Sequence, residues 1–404
     1  QNHAPSIGGG ISCMLNANPV LSDCVFLSNT SMFGAAIYFA AAQSSSLNLT
    51  ECSFLSNAAS VRGGAIEMDD APKNSNVQTF IDCTFSENSA PTGGAIFCAD
   101  YVNANLTNCT FNANMATNEG GAIANLYSAN ILLTGCDFTG NFATNFGGAV
   151  FNSSSSTSAM TNCLFQGNIA NYGGGVCNKS CTTVISNSTF ENNISKDHGG
   201  GMYNNSSSLS LSTSTFNNNQ SNNGGAISLS GSNGSIANTI FTSNVAEQWG
   251  GGFYCVSSDV EIANSVLENN VAEVGDGFYI WAETLLNFVG INRSDEIYLY
   301  HWAYSNSRLS FFADSYCDVT KNVTTPYGGS THFDINNLVT DETLTVGTEL
   351  VRDGALGITN DSNSLFSASA GVTIPLMQAS TLTGSFSSVT FPLMPDGLGL
   401  QLIE

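Results

Sequence analysis

Apolar residues in this chain recur at long, fixed intervals. Phe26, Phe54, Phe85, Phe111, Phe138, Phe165, Phe190, Phe216 and Phe241 follow one another at 25–31 residues, and Leu267 takes a tenth place. Five residues earlier stands a second apolar set: Leu21, Leu49, Phe80, Leu106, Leu133, Met160, Ile185, Leu211, Ile236 and Ile262. Eleven or twelve residues later comes a third: Ile37, Ile66, Ile96, Ile123, Val150, Val176, Met202, Ile227, Phe253 and Phe278, usually entered through Gly-Gly-Ala or Gly-Gly-Gly. Polar positions are as regular. Three residues after each member of the Phe series is an Asn: Asn29, Asn57, Asn88, Asn114, Asn141, Asn168, Asn193, Asn219, Asn244 and Asn270. Two further on the side chain is always small, from Ser31 and Ala59 to Ala272.

This pattern predicts short strands separated by turns, wound into a solenoid. No segment keeps a 3.6-residue period, and Gly, Asn and Ser interrupt every helical candidate. The Leu-x-x-Leu-x-Leu signature of leucine-rich repeats and the nine-residue period of calcium-binding nonapeptide repeats are both missing. A right-handed parallel β-helix of about ten to eleven coils of roughly 26 residues remains, rising ~4.8 Å per coil to a rod about 50 Å long. Equivalent residues then stack. The Phe series becomes an aromatic column, the Asn series an amide ladder, and each Gly-Gly step a corner open to positive φ. The regular coils span residues 1–284. Over 285–404 the period fails, and aromatic residues crowd "DEIYLYHWAYSNSRLSFF" (295–312) beside Trp281 and Trp302. That stretch reads as irregular β-rich final coils or a cap, its aromatics either packed or forming a carbohydrate face or subunit interface.

Composition narrows the function. Eight Lys and Arg stand against 31 Asp and Glu, a formal charge of −23. Such a surface repels nucleic acid and anionic membranes. The sequence has no apolar run long enough for a membrane-spanning helix, so no direct membrane insertion is expected. It begins with Gln and shows no leader, as a mature secreted chain would. Low charge with 42% hydrophobic residues argues against disorder.

Paired Phe-x-x-Asn and Gly-Gly-Ala-Ile motifs over about residues 7–280 resemble the repeats of the chlamydial polymorphic membrane proteins and related surface β-helix proteins. The resemblance implies a β-helix, a surface or extracellular setting, and roles in adhesion and display. Those proteins carry a C-terminal membrane barrel, for which nothing similar is seen here. "LTGSFSSVTFPLMPDGLGLQLI" (382–403) is instead similar to the closing strands of secreted β-helix proteins, so anchoring is not carried over.

The chain holds twelve Cys. Cys24, Cys52, Cys83, Cys109, Cys136 and Cys163 fall two residues before the Phe, where Ser188, Ser214, Thr239 and Ser265 stand in later coils. They read as small inward-facing residues, with inter-coil disulfides as the alternative. Cys177 and Cys181 are candidates for a small disulfide loop. Asp23, Glu51 and Asp82 share one corner of successive coils, as a solvated acidic edge or a shared Ca²⁺ site, the one cofactor considered. Of fifteen Asn-x-Ser/Thr sequons, Asn29, Asn193 and Asn219 belong to the ladder and should be inaccessible. Asn48 and Asn105 should point outward, and Asn108 and Asn187 should sit at an exposed corner. Asn152, Asn178, Asn204, Asn205, Asn233, Asn292, Asn322 and Asn360 complete the glycan candidates.

No nucleophile–His–acid set, phosphate loop or zinc motif can be assembled. Within residues 1–280 the basic residues are Arg62, Lys73, Lys179 and Lys196, none evidently beside an acidic cluster. Asp69-Asp70 reads as a strand-end turn, and His198 as an exposed, inert corner. The expectation is a secreted, non-enzymatic extracellular rod whose copies self-associate end to end into a filament. An adhesin binding host or matrix glycans is the alternative, and a polysaccharide lyase or hydrolase a second one.

Overall fold

A computed structural model describes residues 2–287 with their side chains, except 15, 41–44, 70, 74–75 and 283; beyond 287 it describes only the backbone of strands, the last at Ser388–Thr390. The chain is all-β, a solenoid of parallel strands. One coil shows the plan. Asn103–Thr107 carries the inward Leu106, Thr110–Asn112 carries Phe111, Met115–Glu119 carries Ala116, and Ile123–Asn125 follows the Gly-Gly corner. Each strand pairs in parallel with its equivalents above and below, in register: Leu106 with Leu133, Phe111 with Phe138, Ala116 with Ala143, Ile123 with Val150.

Alternation decides which side chains enter the core, because successive residues of a strand face opposite ways. Phe54 through Phe241 are fully buried, and neighbouring rings from Phe26 to Phe216 stack 4.4–4.9 Å apart, close to the coil rise. The corners are built from backbone that few residues tolerate. The residue before each ladder Asn is left-handed, as at Ser56 (φ 51°), Ala113 (φ 53°) and Asn192 (φ 56°). A second left-handed corner precedes each Cys or Ser of the small column, at Asp23, Glu51, Asp82, Asn108, Asn162 and Asn187 among others. At the Gly-Gly step, Gly120 has φ +66°, and a Cβ on Gly121 would lie 1.9 Å from the Gly148 carbonyl oxygen. Only glycine lets adjacent coils close there.

The Asn ladder satisfies itself completely. Asn114 Oδ1 accepts from both the backbone N–H and the Nδ2 of Asn88, each at 3.0 Å, while Asn114 Nδ2 donates to Asn141 Oδ1 and to the Phe85 carbonyl. The same exchange runs from Asn29 to Asn270 with every member buried. Asp lacks the donors, and Gln has a longer stem, so Asn alone fits. The cysteine column behaves as the interchangeable small column expected of it. The Cys52 thiol donates to the Thr50 carbonyl at 3.3 Å, as the Ser188 hydroxyl does to Ser186 at 2.9 Å.

Strand pairing continues past residue 284: Leu285–Val289 aligns with Asp259–Ala263, and further parallel pairs run on to Ala355–Thr359 with Ser388–Thr390. The sheet of small residues ends its strands at Val245–Trp249, with isolated bridges to Val271 and Val274.

Candidate functional site: a lateral aromatic seam

The outer surface mixes Ser, Thr and Asn with exposed apolar side chains such as Met115, Phe142, Ile169 and Val184, and one line along the rod stands apart by its packed rings and charged groups. It lies where the strand entering the Gly-Gly corner meets the strand leaving it. The first column, just before the first Gly, holds Phe33, Arg62, Thr92, Glu119, Phe146, Tyr172, His198, Asn223 and Trp249. The second, just after the inward apolar residue, holds Tyr38, Glu67, Phe97, Ala124, Phe151, Cys177, Tyr203, Ser228, Tyr254 and Tyr279. Outward-pointing side chains of both columns fold over the shared crease and pack together.

In the C-terminal half the seam is a zigzag of rings. Phe146 stacks on Tyr172 at 5.2 Å, Tyr172 on His198 at 5.8 Å, and Trp249 on Tyr279 at 5.5 Å. These centroid separations exceed the ~4.8 Å rise, so the rings are slipped or tilted. Phe146, Tyr172, Tyr203 and Trp249 stay half-exposed while Phe151, Tyr254 and Tyr279 are buried. Lys179 places its ammonium over Phe146 at 5.3 Å. Half-buried amides flank the strip, with Asn145 Nδ2 donating to Asn118 Oδ1 at 2.7 Å.

In the N-terminal half the seam is ionic. Arg62 Nε donates to Glu67 at 2.6 Å and its terminal nitrogen to Asp69 at 2.8 Å, while its guanidinium lies over Phe97 at 4.6 Å and Phe33 at 5.2 Å. Arg62 is therefore beside an acidic pair, which sequence distance concealed, and Asp69, the last residue of the strand Ile66–Asp69, is the buried second member of that pair. Both guanidinium edges are occupied, so this arginine is not a free base. Burial pushes the Glu67 carboxyl up to about 8, with Arg62 pulling the other way. Glu119, Tyr172 and Tyr203 are likewise raised by burial, Tyr254 is pushed up to about 12, and burial lowers His198 against the opposing charge of Asp197. Perturbed groups outside the cysteine columns gather almost entirely here, as they do at functional sites. Of nine buried polar atoms without a hydrogen-bond partner among the described residues, four are in the seam: Glu67 Oε2, His198 Nδ1, Asn223 Oδ1 and Ser228 Oγ.

Several expectations need correction. His198 is half-buried within the ring stack, not an exposed corner. Cys177 and Cys181 are free thiols. Cys177 packs outward in the seam against Phe151 and Tyr203, while Cys181 Sγ lies 3.7 Å from both Ser207 Oγ and the Asn152 carbonyl, so the two serve different faces. Asn152, Asn178 and Asn204 point inward, where with Asn125 they form a second amide ladder at 3.1, 2.9 and 2.6 Å; a glycan has no room there. They stand two residues after an inward apolar position, the parity that turns a side chain into the core.

Asn29, Asn193 and Asn219 are buried, Asn48, Asn105 and Asn205 half-exposed, and Asn108, Asn187 and Asn233 exposed. The side chain of Asn292 and all of Asn322 and Asn360 lie outside the described residues. Asp23, Glu51 and Asp82 are exposed at left-handed corners, a conformation that itself favours Asp, Asn and Gly. No three His, Cys, Asp or Glu side chains converge as metal ligands among the described residues. No helix among the described residues is long and apolar enough to cross a membrane.

Fold and seam define a parallel β-solenoid of Phe-x-x-Asn coils with one chemically distinct lateral line. Residues 82–99 and 213–230 match the family model of the Chlamydia polymorphic membrane protein repeat, and each match runs from the left-handed corner through Phe-x-x-Asn to the Gly-Gly-Ala-Ile strand. The chain thus carries repeats of that type. It is also 30% identical over 126 residues to the metabotropic glutamate receptor-like protein R of Dictyostelium discoideum, an alignment covering 30% of this chain and 7% of that protein. No solved structure matches the chain.

Proposed function

We propose that this chain is the rod of a non-enzymatic, surface-displayed extracellular protein, and that it works as an adhesive scaffold contacting its ligand along the seam. One observation carries this reading: packed aromatic rings, perturbed titratable groups and four unpartnered buried polar atoms lie together on one line of the rod. Rings with polar tips supply contact area at low entropic cost, which is why Tyr and Trp dominate binding hot spots. Surface repeats of the matched type support the setting. Against catalysis at this end of the seam, the acidic pair at Glu67 and Asp69 is held by Arg62 in a closed cluster.

The test is adhesion of beads carrying the full chain to a panel of cell surfaces and extracellular matrices. Adhesion should fall at least tenfold in the Tyr203→Ser/Tyr254→Ser double variant and persist in Val184→Ser, on another face. Equal adhesion by all three chains would overturn the reading.

A second reading, end-to-end assembly into a filament, is favoured by the first coil, where Leu21 and Phe26 are only partly covered while their equivalents Leu49 and Phe54 are buried. Electron microscopy decides it: rods in series support assembly, and monodisperse single rods in both calcium and chelator refute it.

A further inference from the structure

In the C-terminal half one coil, that of Asn223 and Ser228, carries no ring in either column. In the second column Tyr203, Ser228 and Tyr254 are consecutive, so two aromatic faces stand two coil rises apart, roughly 9.6 Å, with a small polar residue between. Beside Ser228 lies Asn223, whose register neighbours are His198 and Trp249. Ser228 is fully buried and Asn223 5% exposed, and Ser228 Oγ and Asn223 Oδ1 have no partner. The His198 ring occupies the space between the tyrosines, 5.6 Å from Tyr203 and 5.4 Å from Tyr254, with its own Nδ1 unpartnered.

We propose that this coil is a saccharide subsite: one pyranose ring of a neutral glycan inserts between Tyr203 and Tyr254, with Asn223 and Ser228 as its floor, and His198 is the plug it displaces. This rests on the adhesive reading above and names its ligand class. Two ring faces about 9.6 Å apart leave room for one ring of pyranose thickness in van der Waals contact with both. A pyranose presents apolar C–H faces to the tyrosines and hydroxyls to the floor, matching an apolar-walled slot with a few convergent polar groups. A chain with a net charge of −23 disfavours nucleotides and acidic polysaccharides at the same slot. His198 is suited to a displaceable role because it gains ring contacts there but leaves Asn223 Oδ1, Ser228 Oγ and its own Nδ1 unmatched; sugar hydroxyls would satisfy the first two, and water the displaced imidazole.

The plug gives the test a sign. The full chain is titrated with chitotriose and cellotriose, both neutral, and with acidic sialyllactose, following fluorescence of Trp249, which stacks on Tyr254. His198→Asn and Tyr254→Ser copy the residues that the next and preceding coils already carry at those columns, so both should fold; far-ultraviolet circular dichroism checks this. A neutral trisaccharide should bind saturably, about threefold or more tighter in His198→Asn and at least tenfold weaker in Tyr254→Ser, with Val184→Ser unchanged. Silence of both neutral sugars even with His198→Asn would overturn the inference, as would preference for sialyllactose or weaker binding in His198→Asn. If the sugars fail while Tyr203→Ser/Tyr254→Ser still abolishes bead adhesion, the subsite is wrong and the adhesive seam stands.

Discussion

Single residues in this rod are selected by what the coil above and below demands. Asn141 is the clearest case, giving and receiving hydrogen bonds with two neighbouring coils at zero exposure. Asn141→Ala would strand the backbone N–H of Asn114 and the Phe111 carbonyl, costing about 3 kcal/mol; denaturant unfolding would measure it, and a loss below 1 kcal/mol would contradict the ladder's role. Glu67 makes a prediction in pH. Its folded pKa is raised to about 8 by burial, so the folded chain holds a proton that the unfolded chain releases. The stability it contributes is full below the ordinary carboxylate range and is lost as pH rises toward 8. The melting temperature should therefore decline across that window in the native chain, and Glu67→Gln should flatten the decline. An identical pH profile in both would mean that Arg62 keeps Glu67 ionised throughout.

At the scale of the coil, the fold follows from columns rather than from any one strand, because each short strand gains its partners only by stacking. Removing residues 115–141 joins Asn114 to Phe142, the register partner of Met115, and restores every column. The shortened chain should keep its β circular dichroism and cooperative unfolding, whereas removing half that length should abolish both. The same logic explains what could be read from sequence. The Phe and Asn columns were legible because their chemistry repeats in every coil. The seam was not, because Phe146, Tyr172, His198, Asn223 and Trp249 share a column without sharing a residue type. Parity would have placed Asn152, Asn178 and Asn204 inside, since each follows an inward residue by two. The Arg62–Glu67–Asp69 cluster was hidden by the two glycines that fold the chain back between Arg62 and Glu67.

For the whole molecule, a core built from repeating columns lets the outside vary without affecting the fold. The broad face with Leu132 and Val184 is half-apolar and shallow, the corners are polar, and the seam alone combines rings with unmatched polar groups. An adhesive rod should therefore be protected along one line when bound. Hydroxyl-radical footprinting of the full chain, free and bound to the surface it adheres to best, reads this directly. The account predicts protection confined to the seam, strongest at the half-exposed Tyr172, Tyr203 and Trp249, with Leu132 and Val184 labelled equally in both states. Protection of Leu132 and Val184 with the seam unchanged would contradict it.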